Sequence, residues 1–191
     1  MTNTEVITIK AIDETLAQPV YSFLRLPGVD IEVSKALQQA LDEFQSVDNV
    51  AGRDAARWLQ RCALPEYETS RTTLLLGHGR IAGFHSLASQ HVEMDSDERG
   101  LIGLRADRAR VPATLMTWIA KDPRAGASGK ELFLHAVASS RKATEFQASA
   151  ILVLDAYDDE TAAMWLNQPY GLRQLSKSRK PRLWLPLGAE S

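Results

Sequence analysis

The chain has little of what staples or ligates a fold. Cys62 is its single cysteine, so neither an intrachain disulfide framework nor a cysteine-based metal site is available, and a reducing cytoplasm is the expected compartment. No stretch approaches the roughly 18 uninterrupted apolar residues of a membrane-spanning helix, and no membrane segment is expected. The opening residues, MTNTEVITIKAIDE, have neither the basic nor the apolar stretch of a secretory leader, so none is expected there. A strong excess of one sign of charge is missing too. The formal net charge is -2, from 22 Lys and Arg against 24 Asp and Glu. That balance excludes a broadly basic surface for non-specific nucleic-acid binding, while leaving room for a local basic patch. Several signatures are absent: there is no GxGxxG and no HExxH, and Gly129-Lys130 is followed by Glu131 rather than by the Ser or Thr of a phosphate-binding P-loop. Hydrolase and metalloenzyme readings therefore have no positive support, and no metal ligands are assigned.

What is present suits one domain over residues 1–191. Val6–Ile12 alternates apolar and polar residues and reads as a strand. Thr15–Leu26 reads as a helix stopped by Pro27-Gly28, and Val33–Phe44 as an amphipathic helix. Ser46–Gly52 reads as a polar turn and Asp54–Leu64 as a further helix with Trp58, Leu59 and Cys62 on one side. Thr69–His91 reads as a hairpin turning at Gly77-His78-Gly79-Arg80. Val92–Arg110 is polar, carries both signs of charge and reads as a connection. Ser149–Tyr157 has the near-continuous apolar run of a central strand. Asp158–Leu166 is a helix with acidic residues in its first turn, and Leu172–Leu187 holds two short strands around a basic turn. The order predicts an α/β (α+β) domain with a mixed sheet.

Everything is arranged around Val111–Val137. Val111–Ile119 reads as a buried strand, Asp122-Pro123 ends it, and Arg124-Ala125-Gly126-Ala127-Ser128-Gly129 is a turn of small residues. Leu132, Phe133, Ala136 and Val137 then follow at helical spacing. A strand that delivers small residues to a helix N-terminus is suited to holding phosphate. The first N–H groups have no partner inside the helix, the dipole favours an anion, and small side chains permit close approach.

Arg124-x-x-Ala127-x-Gly129 resembles the Q/R-x-x-G-x-G/A pyrophosphate loop of the GNAT acetyltransferases. The order of elements matches theirs as well. Gly79-Arg80-Ile81-Ala82-Gly83-Phe84 resembles the family's DGRIVGY hairpin, and Pro169-Tyr170-Gly171-Leu172 its R-F-G-F turn. Trp58-Leu59, Ser70-Arg71-Thr72 and Phe84-His85-Ser86-Leu87-Ala88 resemble segments of the GNAT toxins of bacterial toxin–antitoxin pairs. The likeness covers residues 46–187.

The resemblance implies a GNAT domain whose fourth and fifth strands splay apart, with acetyl-CoA (coenzyme A) in the gap. The pantetheine arm would pair with Thr117, Trp118 and Ile119. The pyrophosphate would lie on the N–H groups of Arg124, Ala125, Gly126, Ala127, Ser128, Gly129 and Lys130. Ala127 replaces a glycine and adds a Cβ where the backbone should approach phosphate. The activity implied is N-acetylation of a primary amine: a small molecule, a peptide or, as in the toxin branch, aminoacyl-tRNA. The partners implied are that amine, tRNA or an antitoxin, and a second copy of the chain. A tyrosine that the family uses as general acid is replaced: counting from either side, its place falls on Asn167 or Trp165. Tyr157 and Tyr170 are the phenols nearby, and His85 and Glu93, with Asp95, are candidate bases. The alternative is a degenerate GNAT fold that binds CoA or a protein partner without turnover.

Overall fold

The computed structural model describes residues 9–26, 34–66, 68–104, 110–176 and 178–188. The first described element is a helix, α1 (Ile9–Leu16), followed by strand β1 (Ser22–Arg25). This corrects two expectations: Ile9–Ile12 is not strand, and the helix expected over Thr15–Leu26 stops at Leu16; Val6–Thr8 and Pro27 lie outside the described residues. The pattern over so short a stretch is ambiguous. Ile12 and Leu16, four residues apart and both buried, serve a helix face as well as alternation serves a strand. Pro19 cannot continue the helix, and the chain then pairs as an antiparallel strand, from Ser22↔Leu76 to Arg25↔Thr73.

Helix α2 (Lys35–Glu43) begins where the Ser34 hydroxyl accepts the Leu37 N–H at 3.0 Å, and it buries Leu37, Ala40 and Leu41. Helix α3 (Val50–Arg61) starts four residues before the expected Asp54. The segment read as a polar turn contains its cap, because Asn49 Oδ1 accepts the Gly52 N–H at 2.7 Å. A Cβ on Gly52 would stand 2.1 Å from the Val47 carbonyl oxygen, which is why the first turn needs glycine there.

The hairpin forms as expected, β2 (Arg71–Gly77) leading to β3 (Arg80–Glu93). His78 and Gly79 have φ of 53° and 70°, the paired left-handed conformation of a two-residue hairpin turn. Their N–H groups donate to the Gln18 and Leu16 carbonyls at 2.7 and 2.7 Å, so the turn also closes the end of α1. The strand runs on to Glu93, past the expected His91. Within the connection expected over Val92–Arg110 there is a short helix, α4 (Ser96–Gly100). Asp95 accepts the Glu98 N–H, and Glu98 in return accepts the Asp95 N–H, a capping box whose D-x-x-E signature is present in the sequence.

Strand β4 (Arg110–Lys121) is followed by a 3-10 turn at Pro123–Ala125 and helix α5 (Gly129–Ala143). Then come β5 (Ile151–Asp155), α6 (Asp159–Leu166), β6 (Arg173–Gln174) and β7 (Arg182–Pro186). Among the described residues the sheet has seven strands in the order β1-β2-β3-β4-β5-β7-β6. It is mostly antiparallel, but β4 and β5 run parallel from Ala113↔Ile151 to Met116↔Leu154. That ladder ends while β4 continues to Lys121, and on its other edge β5 pairs antiparallel with β7 from Ile151↔Pro186 to Asp155↔Arg182.

Contacts divide the chain into two compact units, Met1–Ser86 with Trp118–Leu134, and Leu87–Thr117 with His135–Ser191. In the first, alternation sorts the sheet's two faces. Leu74, Leu76, Ile81, Phe84, Trp118 and Ala120 pack with α1, α2 and α3. Leu75, Ala82 and Ile119 pack with Ala127 and Leu132 on the other face. Ile81 and Phe84 share a face although three residues apart, and a Cβ on the intervening Gly83 would meet Leu132. Two successive residues on one face are the pattern of a β-bulge. The second unit is centred on Val92, Met94, Val111, Ala113, Ile151, Val153, Leu175 and Trp184. Each large apolar side chain buried in either core contributes about 1.5–3 kcal/mol. Among the described residues no helix is long and apolar enough to cross a membrane.

Candidate functional site

The turn between β4 and α5 is built on a buried carboxylate. Asp122, 1% exposed, donates its N–H to the Ala82 carbonyl at 2.9 Å, holding the end of β4 against β3. Its Oδ1 accepts the Arg124 N–H at 2.9 Å, and the guanidinium of the same arginine bridges both carboxylate oxygens, with Nη2 2.5 Å from Oδ2. The Gln45 N–H donates to it as well. Burial pushes the Asp122 carboxyl up, but the hydrogen bonds and charge of Arg124 outweigh it and hold the group below the ordinary carboxylate range. Arg124 Nη2 also donates to the Glu43 carbonyl at 2.7 Å, one of the last carbonyls of α2. Sequence reasoning takes Asp122-Pro123 only as the end of a strand and misses this carboxylate. The available signal is an Asp two residues before an Arg at the foot of a turn.

Beyond Arg124 the backbone is spare. The Arg124 and Ala125 N–H groups are taken by Asp122, and that of Leu132 by the Ser128 carbonyl. Those of Gly126, Ala127, Ser128, Gly129, Lys130 and Glu131 make no hydrogen bond among the described residues. The donor set open to an anion is thus Gly126–Glu131, shifted from the expected Arg124–Lys130. Gly126 has φ 70°, and a Cβ added to it or to Gly129 would meet no atom within 4 Å. Ala127 departs from expectation: its methyl is buried with Leu75, Ala82 and Leu132, turned into the core. Lys121 Nζ lies 3.4 Å from the Ala127 carbonyl, and Lys130 is exposed on the first helical turn.

The expected pantetheine positions Thr117, Trp118 and Ile119 are half-buried, and all lie beyond the last β4–β5 pair. Trp118 stacks on Trp58 with ring centroids 5.5 Å apart, and Trp58 on Phe84 at 5.9 Å. The Trp58 indole N–H donates to Glu66 Oε2 at 3.2 Å. Ile119 faces the other way, toward Ala127 and Leu132.

The expected acid and base residues have different settings. His85 belongs to the first unit. It is fully buried and, as Phe84's neighbour on the strand, points to the opposite face of the sheet. Glu93, Tyr157 and Tyr170 belong to the second unit. Glu93 closes β3, exposed and 4.0 Å from Arg110. Asp95 is occupied as the cap of α4 and accepts the Ser176 hydroxyl at 2.8 Å. Tyr157 is 54% exposed just past β5. Tyr170 packs its ring 6.0 Å from that of Trp165, and Asn167 ends α6 with its N–H on the Ala163 carbonyl.

Comparison with solved structures settles the fold. The chain superposes on a tyrosine-to-phenylalanine mutant of KacT with a TM-score of 0.66 and 16% identity, over 86% of this chain and 95% of that one. It superposes on AtaT complexed with acetyl-methionyl-tRNAfMet with a TM-score of 0.69 and 13% identity, over 87% and 94%. For AtaTR bound with acetyl-CoA the values are 0.67 and 14%, over 88% and 94%. The chain has the GNAT fold. KacT and AtaT are GNAT-fold toxin acetyltransferases; at these identities the likeness is one of fold. No protein-family model and no curated protein sequence matches the chain. In the GNAT fold the loop after the fourth strand opens the helix that follows, and here that loop is Asp122–Gly129.

Proposed function

We propose that this protein is an acetyl-CoA-dependent N-acetyltransferase acting on a primary amine. The observation that carries the reading is the run of spare N–H groups from Gly126 to Glu131 at the start of α5, directly after β4 of a GNAT fold. Acetyl-CoA supplies an acetyl group activated as a thioester. The chain's part is to hold the pyrophosphate on those N–H groups, with Lys121 and Lys130 adding charge, and to align the arm along Thr117–Ile119. Proton transfer then needs an acid for the leaving thiolate and a base for the attacking amine. Tyr157 is assigned as the acid, since its phenol is exposed, whereas Tyr170 is packed against Trp165. Glu93, exposed at the end of β3, is assigned as the base in preference to the buried His85.

The structure of AtaT with acetyl-methionyl-tRNAfMet supports aminoacyl-tRNA as the acceptor, beside small-molecule and peptide amines. The complex of AtaT with the antitoxin AtaR supports an antitoxin partner. A second reading, a CoA binder without turnover, draws on Asn167 and Trp165 standing where the family has its tyrosine. Calorimetry with acetyl-CoA, beside thiol release over an amine panel that includes charged tRNA, tests both. Binding with CoA release, lowered about 10²–10⁴-fold by Tyr157→Phe and little by Tyr170→Phe, is the expected result. Binding without release from any amine would establish the second reading, and no binding would remove both.

A further inference from the structure

The arginine at the head of the loop is committed elsewhere. Of its guanidinium donors, Nε and Nη2 are given to the Asp122 carboxylate, and Nη2 also to the Glu43 carbonyl at the end of α2. Asp122 in turn takes the N–H of Arg124 and that of Gln45, just beyond α2. The carboxylate is 1% exposed, whereas the Arg124 side chain is 46% exposed. One small network therefore ties the C-terminal end of α2, the end of β4 and the start of the loop. The polar pit beside it, lined by Glu43, Arg80, Asp122 and Arg124, measures about 70 Å³, room for water but not for a nucleotide.

We propose that Asp122 and Arg124 are positioning residues that set the shape of the Gly126–Glu131 loop, and that Arg124 acts through Asp122 and the α2 carbonyl rather than on the phosphates. This rests on the coenzyme reading of the loop. The physical ground is the fork geometry. A guanidinium can bridge two carboxylate oxygens and reach a third acceptor, which an ammonium cannot do from one position. Removing the arginine leaves a buried carboxylate short of its partner, and the chain relieves that by moving the loop.

The test compares wild type with Arg124→Gln, Arg124→Lys, Asp122→Asn and the Asp122→Asn/Arg124→Gln double variant, below the unfolding temperature of each. Two readouts are taken: acetyl-CoA affinity by calorimetry, and amide hydrogen exchange of the unliganded protein at Gln45 and at Ala125 and Leu132, the bonded amides on either side of the spare run. Positioning predicts that Arg124→Gln and Arg124→Lys both weaken binding about tenfold, the scale of one charge-assisted hydrogen bond. It also predicts faster exchange without ligand at Gln45, Ala125 and Leu132, whose N–H groups are hydrogen-bonded around the loop, and a double variant no weaker than the worse single one. Near wild-type affinity in Arg124→Lys, unchanged exchange in Arg124→Gln, or losses that multiply in the double variant would each overturn it. Should Asp122→Asn fail to fold, the two arginine variants decide alone. Should wild type bind no acetyl-CoA, the coenzyme reading falls, while the exchange comparison still decides the positioning role.

Discussion

Gly129 separates folding from binding more cleanly than any other residue in the loop. A Cβ built there meets no atom within 4 Å, and no left-handed φ is required of it. Gly129→Leu should therefore leave the unliganded fold intact. Replacing glycine even gains something, since a glycine inside a helix costs about 0.5–1 kcal/mol relative to alanine, and less at the first helical residue. Ligand binding is another matter. The new side chain stands among the N–H groups of Gly126–Glu131, where the oxygens of a bound pyrophosphate would lie. Each hydrogen bond to a charged acceptor is worth about 1.5–3 kcal/mol, so losing one costs about ten- to more than a hundredfold in affinity. Calorimetry with acetyl-CoA reads the second quantity and urea unfolding the first. Ala127→Gly is the control in the opposite sense. It restores the family's glycine but removes a methyl packed with Leu75, Ala82 and Leu132. The loss is about 0.8 kcal/mol of burial, with the cost of glycine's freedom added, and no gain in affinity. A Gly129→Leu protein that binds acetyl-CoA as wild type does, or that simply unfolds, would refute the reasoning. So would tighter binding by Ala127→Gly.

Three further perturbations follow from the geometry. Gly83→Ala places a Cβ 2.6 Å from Leu132 Cδ1 and 2.9 Å from the Ala120 carbonyl oxygen; the leucine can turn but the backbone cannot, so urea unfolding should show a loss of about 1–3 kcal/mol, and no loss would remove the bulge assignment. Asp122 has a folded pKa below its ordinary 3.8, so its contribution to stability is fully present above that value and is lost as pH falls through the lower folded one. The stability excess of wild type over Asp122→Asn should shrink along that acid limb, and an excess independent of pH would contradict the ionised pair. Asn49→Ala removes the side chain that accepts the Gly52 N–H at 2.7 Å and should cost about 1 kcal/mol by chemical denaturation; an unchanged midpoint would show that α3 does not depend on its cap.

The parts of the fold that are legible in advance are those whose signal is local. Gly77-His78-Gly79-Arg80 carries its own left-handed turn chemistry, and β2 and β3 follow from it. The run from Val111 to Val137 announces strand, turn and helix through composition alone. Ser34, Asn49, Asp95 and Asp158 all cap helices, yet only the acidic first turn after Asp158 enters the sequence reading. Taking Asn49 and the Asp95–Glu98 box as caps moves the start of α3 and recovers α4. The N-terminal error is of another kind. Ser22–Arg25 has too few residues to show a period, and its strand state is set by the exposed edge of β2 that it pairs with. No window over residues 15–26 contains that partner.

The candidate site divides along the same line. That a small-residue loop precedes α5 is a local fact, and its spare N–H groups follow from helix geometry. Which way Ala127 points is not. Its methyl turns inward because Leu75 and Ala82, more than 40 residues earlier in the chain, leave an apolar hole beneath the loop. Alanine fills that hole without obstructing the outer side of the backbone, so a departure from the glycine pattern that reads as a defect in phosphate binding is a packing choice. The orientation of the Arg124 side chain is set from a distance in the same manner. An arginine beside a phosphate loop suggests a phosphate ligand when only its neighbours in sequence are known. The acceptors that claim it are a carboxylate two residues back and a carbonyl at position 43, and the second is supplied by tertiary structure. Where a charged side chain sits next to a buried opposite charge, the buried group decides its orientation, because leaving a desolvated carboxylate unpaired costs more than forgoing a contact with a screened, solvent-exposed anion.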